Sequence, residues 1–308
     1  GMDDHAMQGM AGMVMGIHVR PDPDHGSAPP EPVQRRIDLF TSRRDGVVEG
    51  EPAISFITSS GGDAPALDSV HIPGSPLVLT RDEMTEIVVH NRLDIPFGVH
   101  WHGLELESRY DGVADWSGMR GRAIPPIQPG DSFAVRIDPP RAGSFIYHVH
   151  SEPGHELTQG MYGPFLVLEP GERYDPERDK IILMGSWGSV TNEMQAVVNG
   201  SAEPEPMELR VGERYRLRFM HMSADDDKSV RLLEDGEPVE WTLVAKDGAD
   251  LPAALVASSP AEVPLIGVGE TYDFFWTPTT PGTRTLEIVT VYDPGGRRHR
   301  LEWPVNVR

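Results

Sequence analysis

The sequence contains no cysteine. That absence excludes disulfides, zinc–thiolate sites and cysteine nucleophiles, and leaves twelve histidines as the pool of metal ligands. Positive charge is also scarce: 27 lysines and arginines face 48 aspartates and glutamates, for a formal net charge of −21. So acidic a chain repels phosphate backbones and anionic lipid, which argues against nucleic-acid and membrane partners. Apolar runs such as Ile181–Met184 and Pro164–Leu168 are far too short to span a bilayer. The first residues show no basic segment followed by an apolar core, so they do not resemble a signal peptide. Sustained helical periodicity is missing too; the most helix-like piece, Glu156–Met161, is short. Glycine (32) and proline (29) are plentiful and favour short elements joined by turns, in a chain of 308 residues that can hold two domains.

What is present is period-two alternation. Val78–His90, Ser132–Ile137, Glu213–Met222 and Arg284–Tyr292 each alternate apolar and polar residues between turn formers, as half-buried strands do. The pattern predicts an all-β chain of two Greek-key β-sandwich domains. The expected boundaries are a first domain over 35–171 and a second over 172–308. The change falls after Leu168, where LVLEPGERYDPERD turns polar. Residues 21–34, rich in proline and charge, are expected to be a linker, which leaves 1–20 belonging to neither domain.

Two histidine pairs carry the chemistry. His100-Trp101-His102-Gly103 follows the strand-like EIVVHNRL, and His148-Val149-His150 ends GSFIYHVH. Residues two apart in a strand project from one face about 7 Å apart, so each pair aims two imidazoles at one place. Imidazole suits copper, zinc, iron and nickel, with copper the tightest binder among the divalent ions. A lone His-x-His in a strand is usually incidental; two pairs on adjoining strands could hold a cluster of metals. A cupin barrel also offers His-x-His, but here the glycine-to-histidine spacing is one short, and Glu152 and Glu156 flank the position its acid would take.

The order and spacing of HWHG, Asp111-Gly112-Val113, IPPIQPGDSFAVRI, AGSFIYHVH and QGMYGPFLVLEPGE over residues 76–171 resemble the first cupredoxin domain of laccases and other multicopper oxidases. The resemblance implies two cupredoxin-like domains. In it, His100 binds the type 2 copper and His102, His148 and His150 bind the type 3 pair. It also implies that Asp111 orients bound water and helps deliver protons, although an Asp-Gly pair forms turns on its own account. Residues 172–308 are similar to the family's copper-free middle domain through YRLRFMHMS, WTLVAKDGADLP and VGETYDFFW. His221 stands where the family has a small polar residue and reads as structural or surface. His155, five residues after His150, could act on the site from outside the ligand set. His18, His25, His71, His90 and His299 read as solvated or packed.

The start of the chain resembles the end of the family's type 1 copper domain. His5 and Met10 have the spacing of that site's last histidine and axial methionine, and AGMVMGIHV looks like its final strand. Residues 1–20 are therefore expected to be the remnant of a type 1 domain placed ahead of the other two. Competing readings make Met2, Met7, Met10, Met13 and Met15 a copper-collecting segment, or methionines that pack a strand. The resemblance implies an oxidase that takes single electrons from a small reducing substrate and reduces O2 to water. These residues supply half of the cluster's histidines and no thiolate. Little activity is therefore expected without a further cupredoxin domain, upstream or on a separate chain. The alternative is a copper-binding or copper-handling protein built on the same pairs and the methionines. Oligomers are open, and the family implies an exported compartment.

Overall fold

Strand formation follows from where each strand's two faces go. The computed structural model describes residues 32–48, 51–59, 63–119, 121–150, 155–187, 195–223, 226–292 and 298–308. Up to Leu168, one sheet has the order β2 (Glu51–Thr58), β1 (Arg35–Val48), β4 (Thr85–His90) and β8 (Ser132–Ile137). A second has the order β3 (Leu77–Thr80), β10 (Tyr162–Leu168), β9 (Gly143–His150) and β5 (Gly98–His102). A small ribbon pairs β6 (Gly118–Met119) with β7 (Arg122–Ala123). The helix-like segment is one turn, His155–Thr158. β1 pairs with β4 and β3 with β10 in parallel, so neither pair is a hairpin and the chain between their strands crosses to the other sheet.

The remaining strands form two more sheets. One runs β12 (Gln195–Val198), β11 (Asp179–Trp187), β14 (Tyr215–His221), β21 (Thr271–Trp276), β17 (Glu240–Lys246) and β18 (Ala249–Asp250), with β19 (Ser258–Pro260) on β17. The other runs β13 (Met207–Leu209), β23 (Arg300–Val307), β22 (Gly282–Tyr292), β15 (Asp227–Glu234) and β16 (Glu237–Pro238), with β20 (Glu262–Ile266) on β15. Each pair of sheets encloses an apolar core, one around Trp101, Tyr147 and Phe165, the other around Phe219, Trp241 and Phe274. A third cluster joins Ile146, Tyr162 and Leu166 to Leu183, Met220 and Met222, so the two halves share buried surface.

Two expectations about alternation change. The run Val78–His90 is two strands in different sheets: a turn in which Glu83 N donates to Thr80 O, with Asp82 at φ 59°, separates β3 from β4. The segment Tyr215–His221 is not half-exposed, since Arg218 is 3% exposed. Its polar face turns to the other half, where Arg218 Nη1 donates to Ser144 Oγ at 3.0 Å; within its own half Nη1 donates to Asp273 Oδ2 at 3.0 Å and Nη2 to Asp179 Oδ1 at 2.7 Å. Alternation marks a face as polar, and only packing decides whether that face meets water or buried carboxylates.

Candidate metal centre

β9 is buried along seven of its eight residues and uses both faces. Phe145, Tyr147 and Val149 enter the first core, while Ser144 and Ile146 face the second half and put His148 and His150 on that same side. β5 obeys the same rule. Val99 and Trp101 pack into the core, which turns His100 and His102 to the opposite face. Trp101 is fully buried, with Tyr147 and Phe165 at ring distances of 6.1 and 6.0 Å, and so pins the strand between its two histidines. The antiparallel register sets His100 across from His148, Gly98 across from His150 and His102 across from Ile146.

The four histidines named from the sequence therefore converge. Ring centroids lie 5.3 Å apart for His100 and His148, 5.5 Å for His100 and His102, and 5.8 Å for His102 and His148. His150 lies 6.2 Å from His100 and 6.4 Å from His148. One ring nitrogen from each of His100, His102 and His148 falls within 4.8 Å of the other two.

Hydrogen bonds fix the nitrogens of two of these rings. His100 Nδ1 donates to the carbonyl of Asp111 at 2.9 Å, and His148 Nδ1 donates to the carbonyl of Val149 at 2.8 Å. A carbonyl can only accept, so Nδ1 carries a proton in both rings and Nε2 is the nitrogen left to face the site. His148 Nε2 is buried and has no hydrogen-bond partner. Burial first, and the neighbouring imidazoles second, hold His148 well below the ordinary histidine range. His102 is lowered to about 4, again by burial first and then by His100. Neutral imidazoles with exposed lone pairs are the protonation state that a metal requires. The donor set fits copper: nitrogen ligands on one face, with an orphaned acceptor among them.

The structure also brings Asp111 to this site. Its Oδ1 stands 3.4 Å from His100 Nδ1, and its Oδ2 accepts from Ser117 Oγ at 3.0 Å. Burial alone would raise this carboxyl, but His100 and the Ser117 hydroxyl hold it below its usual value. Gly112 makes the approach possible. It adopts φ 81°, and a Cβ there would overlap the Val99 carbonyl, so the loop lies directly on β5. Asp111-Gly112 is thus a turn and a contact to His100 at once.

The remaining candidates separate. His5 and Met10 lie outside the described residues, as do His18, His25 and the side chain of His155. His90 stacks on Phe40 at 4.5 Å, with Nε2 2.8 Å from Asp38 Oδ1. His221 is not on the surface: it is fully buried, with both ring nitrogens engaged. Sequence reasoning missed the second half's contribution to the metal site. Gly269 packs on His102, and Asp247, Glu270 and Thr271 line a cleft of about 180 Å³ beside it. The similarity of WTLVAKDGADLP and VGETYDFFW to the family was the signal pointing there.

Residues 69–172 match the multicopper oxidase family model. A laccase of Ustilaginoidea virens is 28% identical over 159 residues, covering 51% of this chain and 22% of that protein. A copper resistance protein A homologue of Pseudomonas syringae pv. tomato is 31% identical over 118 residues, covering 38% of this chain and 18% of its own. The alignments thus span only about a fifth of the length of these curated relatives. Among solved structures, a blue copper oxidase from Nitrosomonas europaea superposes with a TM-score of 0.66 at 21% identity, covering 89% of this chain and 86% of that one. A further multicopper oxidase gives 0.67 at 17% identity, covering 92% and 94%. These two likenesses show the shared fold.

Proposed function

We propose that this chain, whose residues 69–172 belong to the multicopper oxidases, provides one half of a trinuclear copper centre through His100, His102, His148 and His150. The observation that carries the proposal is the buried, unpartnered Nε2 of His148 among three other imidazoles on one face. His100 is the type 2 ligand and the other three serve the type 3 pair. Copper bound there would supply the one-electron chemistry that couples oxidation of a small reducing substrate to reduction of O2 to water. The protein's own residues orient and exclude. The carbonyls of Asp111 and Val149 hold His100 and His148 in the Nδ1–H tautomer, and Trp101 keeps β5 seated so that the two pairs stay in register. Asp111 stands ionised beside His100, where its carboxylate can accept a proton and return it to solvent.

Cysteine is absent, so a thiolate-ligated type 1 copper cannot form from these residues, and half of the trinuclear ligands have to come from elsewhere. A further cupredoxin domain, in the same polypeptide or on another, is the partner this reading requires. We also place the division of the described fold at the linker after Leu168, with 35–171 holding copper and 172–308 not, and the protein in an exported compartment. The test is complementation. Adding a separate domain that carries His-x-x-His-x-His and His-Cys-His motifs to the copper-loaded chain is expected to restore oxygen consumption with a reducing substrate. No oxygen consumption by a mixture that forms a stable complex would contradict it. The copper resistance relatives favour a second reading, copper handling without oxidation. It predicts copper binding that survives loss of His148 and depends on Met7 and Met10.

A further inference from the structure

Two of the site's rings are held by carbonyls of their own half, but among the described residues no hydrogen bond holds a nitrogen of His102. What meets that ring comes from the second half. Gly269, in the turn between β20 and β21, has φ 87°, and a Cβ there would lie 2.5 Å from His102 Cε1 and closer still to Nε2. The Nε2–Cε1 edge of the ring thus rests on bare backbone. Any side chain at 269 would displace it.

Three hydrogen bonds tie that turn to His221. Gly269 N donates to the His221 carbonyl at 2.8 Å, His221 N donates to the Glu270 carbonyl at 3.1 Å, and His221 Nδ1 donates to the Ile266 carbonyl at 3.0 Å. Glu270 closes the turn from inside, its Oε2 accepting from Gly267 N at 2.9 Å and its Oε1 from Lys246 Nζ at 2.7 Å. His221 is itself locked. Its Nε2 meets Ser223 Oγ at 3.0 Å, and Ser223 donates to the Asp226 carbonyl at 3.0 Å. The Asp226 carboxylate pairs with Lys228 and accepts from Ser186 Oγ at 3.1 Å, while Lys228 donates to Thr290 Oγ1 at 3.0 Å. A buried network of this kind leaves the His221 ring little freedom, since both of its nitrogens are engaged.

We infer that His221 and Gly269 of the second half are positioning residues for the copper ligand His102: the locked His221 fixes the 266–270 turn, and Gly269 in that turn sets the orientation of the His102 ring. The inference rests on the copper reading of the site. It gives the half without metal ligands a defined task, because covering the Nε2 edge leaves Nδ1 as the nitrogen available to a metal. Fixing a ligand ring is otherwise the work of a hydrogen bond to its second nitrogen.

The test uses the whole chain and cupric ion alone, with affinity read by chelator competition and ligation by electron paramagnetic resonance at one equivalent. Gly269→Ala is expected to weaken binding roughly 10- to 100-fold, the cost of losing an outer partner of a metal ligand, and to shift the copper hyperfine splitting. Gly248→Ala is the control. It also has positive φ (68°) and would overlap a ring across the same seam, but that ring is Phe145. It should lower the melting temperature while leaving affinity and hyperfine splitting unchanged. In a His102→Ala background, Gly269→Ala should cost no further affinity. His221→Gln, which loosens the turn and leaves Gly269 in place, should move both copper readouts in the same direction and keeps the test alive if Gly269→Ala does not fold. Additive losses in the double variant, or unchanged copper signals in both Gly269→Ala and His221→Gln, would overturn the inference. If His102→Ala alone leaves affinity unchanged, the copper reading falls and takes the inference with it; loss there with none at either Gly269 or His221 overturns the inference alone.

Discussion

His148 and His221 are the same residue in nearly the same setting, and they end up in opposite chemical states. Both stand near the C-terminal end of a strand with neighbours on either side, are buried, and donate Nδ1–H to a backbone carbonyl, Val149 at 2.8 Å and Ile266 at 3.0 Å. The second nitrogen separates them. His148 Nε2 has no partner, whereas His221 Nε2 meets Ser223 within a network that runs to Asp226, Lys228 and Thr290. A buried acceptor left unmet costs about 1–3 kcal/mol, and at His148 a bound metal would compensate for it. The comparison teaches that burial and a fixed tautomer do not make a histidine a metal ligand. An unclaimed second nitrogen, grouped with others like it, does.

The contrast can be broken most forcefully on the closed side. Asp226→Asn leaves Lys228 buried without its counter-charge and should lower the unfolding free energy by about 3–5 kcal/mol in urea titrations at neutral pH. Burial would raise the Asp226 carboxyl, but the neighbouring His221, Lys228 and Ser223 hold it far below its usual value. A carboxyl lowered in the folded state stabilises above its unfolded pKa of about 3.9 and loses that contribution as pH falls through the folded value. Wild type should therefore lose stability as pH drops below about 4, and the Asp226→Asn profile should be flatter there. A profile as steep as wild type would show that other carboxylates carry the acid limb.

On the open side, His148→Leu should lower copper affinity by more than the roughly 100-fold that loss of an outer partner costs. The metal-free chain should lose no more than about 1 kcal/mol, because removal of an unmet acceptor offsets loss of the Nδ1 bond to the Val149 carbonyl. A sharp loss of apo stability would mean that Nε2 has a partner after all. Asp111→Asn keeps the carbonyl that holds His100 and removes only the nearby charge, so the expected loss of copper affinity is about tenfold. Ser223→Ala should have the smallest effect. Removing one hydrogen bond from the His221 network should cost about 1 kcal/mol, read by the same urea titration.

Much of the first half could be read in advance because its information is local. HWHG and HVH place their histidines on one face by strand periodicity alone, and Ser132–Ile137 spans the observed strand. The break inside Val78–His90 was hidden because Thr80 and Thr85 continue the alternation on either side of a turn that uses Arg81–Met84. Long-range pairing was beyond reach for a different reason. Nothing near Arg218 announces that Asp273 and Ser144, 55 and 74 residues away, will bury it. The same holds for the path from His221 to Gly269 to His102, since each link joins segments that periodicity treats separately. The all-β fold and its cupredoxin likeness were legible; which polar faces would be sealed against each other was not.

The most direct test of the central claim is the number of coppers bound per chain, counted by native mass spectrometry after loading with cupric ion and desalting. The half-site account predicts one tightly held copper that is absent in His148→Leu. Three coppers bound by the chain alone, or a single copper that survives His148→Leu, would contradict it.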